Sequence, residues 1–221
     1  MAWCLTNVML FTGSDESMVS SDRQTTISCE RYRRRMTTAP ARQRIIDAAL
    51  ALVVEGGYEA LQVRAITERA AVSSRTIYTF FPSLDSLLII AIAERAGGEV
   101  YRRLTRGSSR KRSAAGRVEE VIEDLIRIMT DNRALTVGLL RALLSGKPDV
   151  AQHVRGFAAT TQAVLATAIR PDGPSAADRE TAEILEAIYF CALIGWATGA
   201  DTEEHLRRLM HRAITRTLRN Q

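Results

Sequence analysis

The sequence predicts an all-α protein of 221 residues, with a three-helix N-terminal domain containing a helix-turn-helix and a larger helical domain behind it. Three observations point there. Apolar residues recur at spacings of three and four in successive segments, the period of helices with one buried face. Only 5% of residues are aromatic while alanine is abundant, which favours helices packed through small and aliphatic side chains. Residues 63–83, VRAITERAAVSSRTIYTFFPS, divide into two short amphipathic segments around three small residues.

Residues 1–36 lack sustained periodicity and mix Ser, Thr, Asp and Gly, the composition of a disordered leader. Two readings of this leader stand side by side. Translation begins at Met36 or Met18, or Arg31, Arg33, Arg34 and Arg35 form a basic arm that reaches phosphates or a minor groove. A first domain is expected over 37–97. Pro40 suits the first turn of its first helix, where a missing N–H leaves no gap. Ile45, Ile46, Ala49, Leu50 and Val53 give that helix a buried face, and Gly56 with Gly57 ends it. Tyr58 and Leu61 follow as packing residues of the same core.

The next two helices, with the motif over about 62–81, are the most informative. Val63, Ile66 and Ala70 fall on one side of the first; Ala71, Val72 and Ser73 form the turn. Ser73 can cap the second with its hydroxyl, and Ile77, Phe80 and Phe81 bury it against the first. Ser74, Arg75, Tyr78 and Thr79 remain outside. Arg75 and Thr79 are one turn apart with Tyr78 between them, a stripe of guanidinium, phenol and hydroxyl with its methyl. Such groups fork to a guanine edge, bond a phosphate and touch a thymine methyl. The candidate DNA contacts are therefore Arg64, Ser73, Ser74, Arg75, Thr76, Tyr78 and Thr79. Arg75 and Thr79 read bases, while Tyr78 and Arg64, the latter at an amide-rich helix start, hold the backbone.

Ser83 caps a long fourth helix with Asp85 at its positive end. Leu87, Leu88, Ile89, Ile90 and Ile92 are too many for one narrow stripe, so this helix touches both domains. The second domain is expected over 98–221, entered through a flexible polar connection, GSSRKRSAAG, at 107–116. Val118, Val121, Ile122, Leu125, Ile126 and Met129 then form one helical face. Residues 135–144 give another apolar helix, stopped by Gly146 and Pro148. A further helix over 149–169 offers Val150, Val154, Phe157, Thr161, Val164 and Leu165, and residues 171–175 break the chain.

Two long helices close the sequence, about 176–199 and 202–219. The last repeats Leu206, Leu209, Met210, Ala213, Ile214, Thr217 and Leu218; its predecessor is apolar almost all round over 187–200 and must be covered on several sides. A second subunit is the natural cover for one side. Gly195 and Gly199, one turn apart, would let helices approach closely, and with Leu206, Met210 and Ile214 they form the expected dimer interface.

Composition narrows the function. The formal net charge of +5 and pI of 9.5 suit a polyanionic partner, and the distribution sharpens the point. Six arginines and no acid occupy 31–44, seven basic residues and no acid occupy 102–117, and both runs flank the proposed reader. Cys4, Cys29 and Cys191 lack metal-ligand spacing, and Cys191 reads as a small core residue in a reducing cytoplasm. No secretory signal is evident, and the uncharged run 187–200 is too short for an ordinary spanning helix. No membrane partner is expected. His153, His205 and His211 are isolated, and no phosphate loop, nucleophile elbow or paired-cysteine site occurs. Neither an enzyme nor any metal or cofactor is expected.

The run from Arg42 to Ala96, above all VSSRTIYTFFPS with the upstream EGGYEAL, resembles the TetR family of bacterial transcriptional regulators. Two positions depart from the family pattern. Ala71 stands where Gly is frequent, so the turn must close without a residue that adopts positive φ freely. Leu84 stands where a Lys commonly contacts a phosphate; that contact is lost, or another Arg makes it.

The resemblance implies a C-terminal ligand-binding and dimerisation domain, with the last two helices of each subunit forming a four-helix bundle. It also implies a cavity between apolar helices. Candidate walls are Ile92, Val100, Ile122, Leu125, Ile126, Met129, Leu139, Leu140, Leu143, Phe157, Thr161, Leu165, Tyr189 and Ile194, a set that suits a small apolar ligand. Its polar members are Thr161 and Tyr189. The stretch EGGYEALQVRAITERAAVSSRTIYTFFPS is similar to repressors of steroid and lipid catabolism in actinobacteria, which sense acyl or steroid coenzyme A thioesters. The excess of Arg over Lys, with Lys111 and Lys147 the only lysines, fits a GC-rich genome.

The expected protein is a homodimeric repressor that binds a pseudo-palindromic double-stranded operator and leaves it when ligand enters. Adjacent major grooves on one face of DNA lie about 34–36 Å apart, so a shift of a few ångströms misplaces one reading head. Two other classes stand against this reading: an architectural DNA-binding protein that responds to no ligand, and a helical lipid carrier or enzyme.

Overall fold

No glycine and a single proline occur between Arg23 and Glu55, and helix α1 spans Arg23–Gly56 with Pro40 inside it. The expected start at Pro40 is therefore too late, and residues 23–36 of the expected disordered leader are helical. Composition hid this because Thr25, Thr26, Ser28 and Cys29 are weak helix formers and the segment lacks apolar periodicity. The computed structural model describes the backbone of residues 23–105 and 113–219, and the side chains of 40–95 and 113–219. The rest of the leader lies outside the described residues. Residues Met1–Pro40 and Ala41–Gln221 are separate compact units, and the candidate sites lie in the second.

After α1 come a short 3-10 turn, Tyr58–Ala60, then α2 (Val63–Ala70), α3 (Ser74–Phe80) and α4 (Leu84–Thr105). A Cβ on Gly56 would stand 2.8 Å from the Ala60 Cβ, and Gly57 has φ +68, so both glycines of EGGYEA are needed to fold this turn back. Ile45, Ile46, Ala49 and Val53 of α1 close over Ile66, Ala70, Ile77 and Phe81, all almost wholly buried. Each large side chain buried this way contributes about 1.5–3 kcal/mol.

The second domain comprises α5 (Ala114–Thr130), α6 (Arg133–Leu143), α7 (Ala151–Ile169), α8 (Ala176–Thr198) and α9 (Glu203–Thr217). Helix α5 begins before Gly116, so the expected flexible connection is shorter at that end; residues 106–112 lie outside the described residues. Packing runs α5 on α7, α7 on α8, α8 on α9 and α9 back on α5. Helix α6 joins this ring to the first domain, lying against α4 and the 3-10 turn. Gly138 permits the approach, since a Cβ there would already stand 3.2 Å from Leu88 and Val53. Side chains cap most of these helices: Ser113, Asn132, Ser175 and Thr202 each accept from a backbone N–H of the first turn. At Ser175 the cap is reciprocal with Asp178, whose carboxyl Arg170 and Ser175 hold well below the usual range.

Helix α8 is long and apolar enough to cross a membrane by length and composition. Its Ala182, Leu185, Tyr189, Ala192, Leu193 and Ala197 are nevertheless buried in the protein's own core, and Glu180, Glu183 and Glu186 stand on it.

Burial corrects the expected interface. Leu206, Met210 and Ile214 are at most 1% exposed within a single chain, filling the seam of α9 with α5 and α8, so they are not free to meet a partner. Gly195 serves the α8–α9 turn: its carbonyl accepts from Asp201 N at 3.0 Å, and a Cβ would stand 2.4 Å from the Asp201 carboxylate, which would have to swing aside. Gly199 ends α8 in the left-handed conformation, φ +82. Cys191 is exposed and not a core residue. With Ile184, Ala187 and Thr198 it forms an open stripe on α8, flanked by the half-buried Ile188 and Ile194. A helix apolar on nearly every side does not reveal in its pattern which side its own chain covers.

Candidate nucleic-acid interface

The turn between α2 and α3 closes as its sequence requires, at a cost. Ala71 adopts φ +50 and ψ +54, a left-handed residue without glycine's freedom, and its N–H caps α2 by bonding Thr67 O. Ala71→Gly should raise stability by about 0.5–1 kcal/mol after the larger chain entropy of glycine is deducted. Urea unfolding measures this, and an unchanged or lower midpoint would show the turn to be unstrained.

Ser73 caps α3 by accepting from Thr76 N at 3.2 Å, and its hydroxyl shares a 2.9 Å hydrogen bond with Thr76 Oγ1. Those two hydroxyls are thus occupied in shaping the helix start. Ile77 is buried, whereas Ser74, Arg75, Tyr78 and Thr79 are exposed, Tyr78 by 52%. The Thr79 hydroxyl donates to Arg75 O at 2.8 Å, leaving its methyl as the outward group. Arg64 pairs with Glu68 on its own helix at 2.9 Å, both side chains well exposed, and this partner holds its guanidinium pKa above the ordinary value. Such a surface pair is weak and yields readily.

The reader is braced from α1. Arg44 Nε donates to Ala70 O at 2.9 Å, Arg69 pairs with Glu55 at 2.8 Å, and Arg42 lies over the Phe81 ring while its two terminal nitrogens bond Glu94 of α4.

Sequence reasoning missed a polar cluster where α3 gives way to α4. Leu84 is half-buried against the core. Beside it Asp85 is completely buried, accepts from the Tyr58 hydroxyl, and pairs with Lys147 at 2.6 Å. Ser83 and Ser86 donate to Asp149 at 2.6 and 2.8 Å. The one sequence signal was that Lys147 is one of only two lysines.

Ile92 of α4 and, in the second domain, Ile122, Ile126, Met129, Leu139, Leu140, Leu143, Thr161, Leu165 and Tyr189 are buried in one continuous core. Leu125, Phe157 and Ile194 are partly buried against it, and the Val100 side chain lies outside the described residues. A groove of about 370 Å³ between α5 and α9 shares only Ile122 and Ile126 with that set; Glu119, Glu120, Glu123, Arg207 and His211 line it too. The Thr161 hydroxyl bonds Phe157 O at 3.2 Å. The Tyr189 hydroxyl, by contrast, is buried with no hydrogen-bond partner among the described residues, and burial pushes its pKa up, so it is a neutral donor.

The model of bacterial regulatory proteins of the tetR family matches residues 45–91, and the tetracyclin repressor-like C-terminal domain model matches 112–218. The HTH-type transcriptional repressor KstR of Rhodococcus jostii is 32% identical over 158 residues, 71% of this chain and 73% of its own length. The crystal structure of a TetR transcriptional regulator from Rhodococcus sp. RHA1 aligns at a TM-score of 0.71 and 19% identity, over 81% of this chain and 97% of that one. Thermus thermophilus FadR, a TetR family repressor in complex with lauroyl-CoA, aligns at 0.60 and 20% identity, over 80% and 91%.

Proposed function

Since the chain belongs to the TetR family of bacterial regulatory proteins, we propose that its α3 face reads an operator while its C-terminal helices hold a small apolar ligand that releases it. The protein is a DNA-binding transcriptional repressor and not an enzyme. It acts as a homodimer on a pseudo-palindromic duplex in the cytoplasm. Residues 37–97 serve DNA and 98–221 serve ligand and partner.

The observation that carries the DNA reading is Arg75. It is exposed one turn from Thr79, on a helix whose opposite side is locked into the core by Ile77. Arg75 and the Thr79 methyl read base edges, Tyr78 and Arg64 hold phosphates, and Ser73, Ser74 and Thr76 shape and flank the helix start.

For the ligand, Tyr189 is the polar candidate with an unspent donor. An acyl or steroid coenzyme A thioester would supply an acceptor for that phenol and apolar bulk for the surrounding aliphatic walls. Tyr189→Phe should therefore raise the melting temperature of the ligand-free protein, by about 1 kcal/mol of stability, since it deletes an unsatisfied buried group. The same variant should gain less from lauroyl-CoA in a thermal shift titration. A lower melting temperature together with an undiminished ligand shift would remove Tyr189 from the pocket.

Selection of bound fragments from genomic DNA, repeated with a panel of acyl and steroid thioesters, tests the whole reading. A duplex bound roughly 10³-fold or more above scrambled sequence, and released by a thioester, is the expected result. Equal binding to all duplexes would make the protein architectural.

A further inference from the structure

The turn that leaves α3 is gripped by a loop from far along the sequence. Asp149, in the segment joining α6 to α7, accepts on one oxygen from both Ser83 and Ser86, which flank Asp85. Asp85, on the same first turn of α4, takes the Lys147 ammonium from that loop and the Tyr58 phenol from the 3-10 turn. The exchange is reciprocal: the first domain's carboxylate takes the second domain's cation, and the second domain's carboxylate takes the first domain's hydroxyls.

These contacts are stiff ones. Asp85 is 0% exposed, and burying a carboxylate is costly unless it is paired and hydrogen-bonded. The two serines hold Asp149 below the usual carboxylate range, and Asp85 holds Lys147 above the usual ammonium value, so both stay charged at neutral pH. Burial, then Asp85, pushes the Tyr58 phenol up to about 12, so it remains a donor. The loop itself has little freedom. Gly146 is left-handed at φ +71, Pro148 separates the two charged residues, and Val150 is 1% exposed with its N–H bonded to Lys147 O. From α6, Arg141 lies 4.6 Å over the Tyr58 ring and pairs with Glu59.

We propose that Lys147 and Asp149 are positioning residues for operator binding, a clamp through which the C-terminal helices set the angle at which α3 meets DNA. The inference rests on the DNA-reading role assigned to α3. Phe80, the last residue of α3, is three residues from Ser83, with Pro82 fixing the backbone between them. On the other side α7 begins one residue after Val150 and runs roughly 28 Å as one rod past Thr161 and Leu165. A displacement of that rod moves Asp149, and Asp149 moves the start of α4. Adjacency alone is not coupling, so the clamp must be opened and its effect read.

Asp149→Ala removes the acceptor of both serines at a half-buried position, and Lys147→Met removes the cation while keeping the stem. The full chain is titrated against a duplex that the wild type selects from random-sequence DNA and against its scrambled form. Amide exchange over residues 74–86 is followed without DNA. Asp149→Ala should bind the selected duplex about tenfold more weakly, bind scrambled duplex as before, and exchange about tenfold faster over 74–86 but not over 185–197. Selected-duplex affinity within twofold of wild type, or faster exchange along the whole chain, overturns the clamp. If Lys147→Met does not fold, Asp149→Ala decides. If the wild type selects no sequence, the DNA-reading role falls and exchange alone judges the clamp, with an unchanged 74–86 segment overturning it.

Discussion

Arg75→Ala should cost about 1–3 kcal/mol at the selected operator and far less on scrambled DNA, so that sequence preference flattens. The reason lies in what the side chain does without DNA. Arg75 makes no ion pair among the described residues, so its removal disturbs no packing and its whole effect appears on the duplex. Arg64→Ala should behave differently, weakening selected and scrambled duplexes alike and making the salt dependence shallower, by less than the roughly one unit of slope expected for an unpaired arginine. Titrations at several salt concentrations separate the two. An Arg75→Ala protein with undiminished preference would remove that residue from base reading.

The second large effect is expected on α8. Ile184 is 52% exposed and Cys191 is exposed on the same stripe, so a charge at either position leaves the single chain able to fold. Inside a two-fold interface the same charge is buried and meets its own copy. Ile184→Glu and Cys191→Glu should therefore give folded monomers in sedimentation, and lower operator affinity on the order of 100-fold as two linked half-sites become one. Gly195→Leu should act otherwise, by displacing the Asp201 side chain from the α8–α9 turn inside one chain, and lower stability first. Dimers that persist in both glutamate variants would place the interface elsewhere.

The helix-turn-helix was legible because two independent patterns agree there: the buried set Ile66, Ala70 and Ile77, and the cap at Ser73. Ala71 was legible even as a departure, because geometry leaves that turn one way to close and alanine takes it. The faces of α8 were not legible. Periodicity reports which side is polar, and over 187–200 no side is, so Cys191 read as core and the seam residues Leu206, Met210 and Ile214 read as interface. The clamp was hidden for another reason. Asp85 and Lys147 lie 62 positions apart and look like ordinary surface charges until the fold removes one of them from water. Helix α1 upstream of Pro40 was missed because its Thr and Ser residues are weak helix formers and no apolar face repeats there.

The Arg64–Glu68 pair gives α2 a counterion that cannot diffuse away. Free salt ions leave when a phosphate arrives, and their dilution favours binding. Glu68 can only swing aside, staying within a helical turn of the phosphate that displaced it. If Arg64 holds a phosphate as proposed, part of the gain that a bare arginine would draw from any stretch of chromosome would thereby be cancelled. Arg75 has no such tether among the described residues, so on the proposed reading the surface would be muted toward bulk DNA and left at full strength toward its own site.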